Sequence, residues 1–279
     1  MTIQQSLYSA PRLIFCALTN KKTPLDDFEP FSIQINNNYT STKQISSFTK
    51  AFGNPDNIPS YAFLAGFRAT IQCITQAPIP SSLMGLIHLS CEITQHNKHN
   101  WLLPYDINVT VKSCRSTSKG IVYQIVTEFY QQHQLTITNT NVMLDKKKGY
   151  KANQRETIKN KEIAQLENSF CSYAINLRTA WKYALLSGDL NPIHLHPFLA
   201  KKLGLKSVLI HGMFNTHQCL SSIYKKTGED LGNVFIEFNK PCFIPSQVFV
   251  MHYTDSNEYG VFSRDKKHRY IKVEIKKEA

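Results

Sequence analysis

Twice along this chain a strongly apolar helical stretch is followed by a series of strand-like runs. That order constrains the fold more than any other feature. The first helix is "YAFLAGFRATIQCI" (Tyr61–Ile74), opened near Pro59-Ser60 and stopped before "APIPSS". Strand-like runs follow at Gly85–Thr94, Tyr105–Ser113, Gly120–Tyr130 and Leu135–Leu144. The second helix, Gly212–Lys226, places Met213, Phe214, His217, Leu220, Ile223 and Tyr224 at helical spacing on one face. Behind it come Asn233–Pro245, Ser246–Thr254, Tyr259–Arg264 and Arg269–Ile275. The last alternates Tyr270, Lys272 and Glu274 against Ile271, Val273 and Ile275, as a half-buried strand does. One buried helix with several antiparallel strands, twice over, predicts an α+β chain in which each sheet wraps a central helix.

Between the halves, "DKKKGYKANQRETIKNKE" (Asp145–Glu162) is polar and poor in apolar residues, as a linker is. The expected organisation is residues 1–144, a basic linker over 145–165, and a second domain over 166–279. The formal net charge is +12, much of it in that stretch and in Arg264–Lys277. Such a balance suits anionic partners, including phosphate-bearing carriers. Neither run matches a nucleic-acid-binding module, so no nucleic-acid partner is expected. No run approaches the roughly 20 apolar residues of a membrane span. The apolar stretch Leu13–Leu18 is too short and interrupted for a secretory signal. Seven scattered cysteines without a CxxC spacing read as free thiols in a reducing cytoplasm.

The chemistry concentrates in "SGDLNPIHLHPFLAKKLGLKSVLIHGM" (Ser187–Met213). Its residues allow three readings. Gly188-Asp189 and Asn191-Pro192 are turn formers, and Pro197 to Gly204 can be a short helix. A metal site is the second, but His194, His196, His211 and His217 match no established ligand spacing, and none is expected. Acid–base chemistry is the third. Asp189 and His194 lie five apart across a proline-fixed turn, so both side chains can meet at one water. Gly212 opens the buried helix, where unpartnered amides and the helix dipole favour a developing oxyanion.

"YALLSGDLNPIH" followed by five residues and Ala200 resembles the hydratase 2 motif of MaoC-like dehydratases, the (R)-specific enoyl-CoA hydratases. Tyr183, Ser187-Gly188-Asp189, Asn191-Pro192, His194 and Ala200 all fit, as does the downstream "GLKSVLIHGM". His196 stands where many members carry Asp. The resemblance implies a double hotdog. It also implies reversible hydration of trans-2-enoyl thioesters, or dehydration of (3R)-hydroxyacyl thioesters, carried on coenzyme A or an acyl carrier protein. Asp189 and His194 would be catalytic, Gly212 would bind the thioester oxygen, and Asn191 and Ser187 would support them. No cofactor is implied beyond the coenzyme A or phosphopantetheine of the substrate. The first half has Asp56 with Tyr61, not histidine, five residues on. It is expected to be a degenerate hotdog that shapes the acyl-chain site. His196, His211 and His217 are read as packing or loop groups. A hotdog thioesterase and a non-catalytic acyl-thioester binding module are the alternatives. Two hotdogs in one chain leave both monomer and homodimer open.

Overall fold

The computed structural model describes residues 2–9, 12–13, 16, 28–147, 163–167, 169 and 171–276. Most of the Leu13–Leu18 stretch, residues 148–162 of the basic linker and Lys277 lie outside the described residues. The chain forms two compact units. One comprises Met1–Ser46 and Tyr61–Ala152; the other comprises Ser47–Ser60 and Asn153–Ala279.

The first unit carries strands β1 (Thr2–Gln5), β2 (Phe31–Asn38), β3 (Leu86–Gln95), β4 (Tyr105–Thr117), β5 (Gly120–Gln131) and β6 (Gln134–Lys146). They lie in the order β1-β2-β4-β5-β6-β3. The β1–β2 pair is parallel and the others are antiparallel. Alternation drives burial along β4, where Tyr105, Ile107, Val109 and Val111 are buried. Helix α1 (Thr42–Phe52), whose residues from Ser47 on belong to the other unit, precedes α2 (Tyr61–Gln76), which is buried on almost every side. Gly66 lets α2 lie close on the sheet. A Cβ there would come within 3.0 Å of both Phe129 and Thr127 side chains, tighter than ordinary packing. Thr70 and Thr127 share a hydrogen bond of 3.0 Å beside it.

The second unit carries β7 (Cys171–Ile175), β8 (Asn233–Phe238), β9 (Ser246–His252), β10 (Glu258–Ser263) and β11 (Arg269–Ile275). Their order is β8-β11-β10-β9-β7, antiparallel throughout. Three helices belong here: α3 (Leu177–Ser187), α4 (Pro197–Lys202) and α5 (Gly212–Thr227). The single apolar face expected of α5 is wider in the structure. Asn215, Thr216, Cys219 and Ser221 are buried as well, so the helix is enclosed nearly all round. The run read as one strand over Asn233–Pro245 divides: the strand ends at Phe238, and Phe243 bridges back to Leu209. β6 extends to Lys146, two residues into the polar stretch read as linker. Of the basic run Arg264–Lys277, the first five residues form the β10–β11 turn and most of the rest is β11. No helix among the described residues is long and apolar enough to cross a membrane.

Candidate active site

Helix α3 begins in a capping box. The Asn176 side chain accepts from the Thr179 amide while the Thr179 side chain accepts from the Asn176 amide. It ends at Gly188, whose φ of 78° is the left-handed conformation glycine adopts without cost. The chain then turns sharply. The Asp189 amide donates to Ser187 Oγ at 3.2 Å, and Asp189 Oδ1 accepts the Asn191 amide at 3.2 Å. Asn191 caps the one-turn 3₁₀ helix Pro192–His194 by accepting from the Ile193 amide. Ser187 is buried and donates to the Tyr183 carbonyl at 2.9 Å. Ser187 and Asn191 therefore shape the turn that presents Asp189 and His194.

His194 is fixed from across the loop. Its Nδ1–H donates to the Leu209 carbonyl at 2.9 Å, and the Leu209 amide returns to Ile193 at 3.3 Å. A proton on Nδ1 leaves the neutral ring's lone pair on Nε2. Burial pushes the His194 pKa below its usual value, and the Asp189 charge opposes that shift. His211 lies against both groups. Its Nε2–H donates to the Asp189 carbonyl at 3.0 Å, and its ring stacks on His194 at 3.7 Å between centroids and 25° between planes. Burial, with His194 alongside, lowers its pKa to about 3. One potential ligand atom each from Asp189, His194 and His211 lie within 4.8 Å of one another. The Asp189 side chain is partly exposed whereas His211 is buried.

The structure thus brings Asp189 and His194 together and adds His211, which the sequence reading had as a packing or loop group. His196 stands apart, exposed at the start of α4. His217 is buried on α5 between two hydroxyls. Ser60 Oγ lies 2.6 Å from its Nδ1, and the Tyr183 hydroxyl lies 3.1 Å from its Nε2. A neutral imidazole donates from one nitrogen and accepts at the other, so one of those hydroxyls accepts while the other donates. Burial lowers the His217 pKa to about 3. The Tyr183 ring then meets His211 edge-on, at 4.9 Å between centroids.

The cluster has the residue types of a metal site. His194 Nδ1 and His211 Nε2 are each committed to a backbone carbonyl, that of Leu209 and that of Asp189. The arrangement suits proton transfer better. Gly212 follows His211 directly and is the first residue of α5, so its N–H has no acceptor within the helix. A Cβ on Gly212 would come within 2.6 Å of the Phe238 ring, so only glycine fits the backbone here. An open cavity of about 570 Å³ in this unit, lined by Phe249, Met251, Arg264 and Lys266 among others, includes none of these site residues.

The first half holds a counterpart of the turn. Gly53, at φ 114°, follows α1, and Asn54 caps the 3₁₀ turn Pro55–Asn57 through the Asp56 amide. Aligning the two Asn-Pro pairs puts Asn57 where His194 stands and Phe52 where Asp189 stands, so neither group of the pair is repeated.

Residues 149–274 match the family model described as MaoC like domain. The chain is 24% identical over 187 residues to 3-hydroxyacyl-thioester dehydratase X of Mycobacterium tuberculosis (strain ATCC 25618 / H37Rv). That match covers 67% of this chain and 66% of that protein. The crystal structure of HtdX from Mycobacterium tuberculosis superposes with a TM-score of 0.70 at 19% identity, over 87% of this chain and 98% of that one. A Mycobacterium tuberculosis protein described as having a double hotdog fold gives 0.53 at 10% identity, over 90% and 97%. Identities this low speak to fold, and the fold is the α+β double hotdog. Residues 149–274, which hold Asp189, His194, His211 and Gly212, are thus similar to the MaoC like domain.

Proposed function

We propose that this chain is a hydro-lyase that interconverts trans-2-enoyl and (3R)-3-hydroxyacyl thioesters, with Asp189 and His194 activating one water. The observation that carries the reading is the convergence of the Asp189 carboxylate and the His194 ring in a loop next to the start of α5. His194 offers Nε2 as a base because Nδ1–H is committed to Leu209. Burial keeps the imidazole neutral at working pH, so it is ready to take a proton.

In this reading the substrate carbonyl oxygen accepts from the Gly212 N–H. The water oxygen adds to C3 and its proton passes to the Asp189–His194 pair. Electron density moves onto the thioester oxygen, where the helix N-terminus stabilises it. A proton then returns from the pair to C2. The sum is H–OH across the C2–C3 double bond, with the thioester intact, and dehydration is the reverse. The name of the similar mycobacterial dehydratase supports the substrate class. The net charge of +12 suits the phosphates of coenzyme A and the acidic surface of an acyl carrier protein equally. The first unit is assigned to acyl-chain binding, and the counterpart turn carries Asn57 in place of a histidine, which leaves one active site per chain.

Crotonyl-CoA tests the reading. Enoyl absorbance is expected to fall with no release of free thiol. Thiol release would make the chain a thioesterase. Tight binding with no change in absorbance would make it a binding module.

A further inference from the structure

We propose that His211 is a positioning residue that holds the acid and the base of this site in one arrangement. The proposal rests on the hydration reading above, in which Asp189 and His194 share a water. His211 is joined to each of them by a different contact. Its Nε2–H donates to the backbone carbonyl of Asp189 at 3.0 Å, across 22 residues of sequence. Its ring lies flat on His194 at 3.7 Å. It is also the N-cap of α5, so it is covalently continuous with Gly212. One side chain therefore ties together the loop of the acid, the ring of the base and the peptide that would meet the oxyanion.

A simple space-filling role fits poorly. His211 is 3% exposed, and its Nδ1 is buried without a hydrogen-bond partner among the described residues. An unsatisfied buried polar atom is a cost that an apolar ring of similar shape avoids. A pure filler at this place would be better made from phenylalanine. The imidazole is accounted for by what its other nitrogen does, which is to anchor Asp189. Tyr183 packs edge-on against the ring and Ser187 shapes the same turn, so the anchor is itself supported.

Two variants and two readouts test this. His211→Phe keeps the stacked ring and removes the donor to Asp189. His211→Gln keeps an N–H donor and removes the aromatic face. The expected result for His211→Phe is an unchanged or higher melting temperature, with kcat down on the order of ten- to a hundredfold and KM within about threefold. His211→Gln is expected to recover part of the lost kcat. Nitrogen-15 NMR of the His194 ring supplies a readout independent of turnover. The wild type is expected to show one tautomer, protonated at Nδ1, and His211→Phe a broadened or mixed signal. If the wild-type protein turns over no enoyl thioester, the hydration reading fails, and the His194 signals still decide the role of His211. A kcat within twofold of wild type in both variants, or His194 signals unchanged in both, overturns the proposal.

Discussion

Asp189→Asn is expected to slow hydration of a trans-2-enoyl thioester at least about a hundredfold while leaving the protein folded, the usual scale for losing a general acid–base group. The substitution is nearly isosteric. An asparagine oxygen can still accept the Asn191 amide, as Asp189 Oδ1 does now. The His211 bond goes to the backbone carbonyl of residue 189 and survives the change. What disappears is the negative charge beside His194 and the ability to take a proton. His194→Ala should cost as much, but it also strips the Leu209 carbonyl of its donor, so Asp189→Asn separates chemistry from stability more cleanly. Steady-state rates on crotonyl-CoA, with circular dichroism to confirm the fold, are the check. A folded Asp189→Asn protein at near-normal rate would remove the pair from the mechanism.

The second large effect concerns acid. His211 and His217 are neutral in the folded second unit, each with its pKa lowered by burial to about 3. In the unfolded chain both return to about 6.5. Below 6.5 the unfolded state therefore binds protons that the folded state refuses, and stability falls with pH down to about 3. Above 6.5 neither state is protonated and the pair imposes no penalty. By pH 4.5 the two groups together withdraw up to about 5 kcal/mol, against a typical domain stability of about 5–15 kcal/mol. Burial also holds His99 in the first unit down to about 4, and this adds to the effect in the same direction. Urea unfolding at pH 7.0 and pH 4.5 is expected to show a large fall in the midpoint, beginning near pH 6.5. A midpoint flat across that window would mean that these histidines are solvated or charged in the folded protein.

The parts of the fold legible in the sequence are those with strong periodicity. α2 and α5, and strands such as β4 and β11, announce themselves through runs of apolar residues at one spacing. Other elements carry no such signal. β7 has only five residues at a sheet edge, and β2 runs into three successive asparagines. α1 buries only Phe48 and Phe52, and apart from Ile45 and Ala51 its other residues are polar. Helix α3 lies hidden in the stretch leading to the Gly-Asp turn, where the turn residues draw the eye first.

The site divides the same way. Asp189 and His194 sit five residues apart across a fixed turn, so their meeting is a local matter that sequence can suggest. The place of His211 is not local. It depends on Leu209 pairing with Ile193, and on the Ile210 amide reaching the Cys242 carbonyl 32 residues further on. No spacing rule encodes that. The pairing of Ser60 with His217 across 157 residues is equally beyond the reach of pattern.

The central claim is that water adds to C3 of an enoyl thioester at Asp189 and His194. The most direct measurement is turnover of crotonyl-CoA in oxygen-18 water, with mass spectrometry of the products of the wild-type protein and of Asp189→Asn. The account predicts one heavy oxygen in the 3-hydroxyl of an intact thioester from the wild type, and almost none from the variant. Heavy oxygen in a free carboxylate, or equal labelling by both proteins, would contradict it.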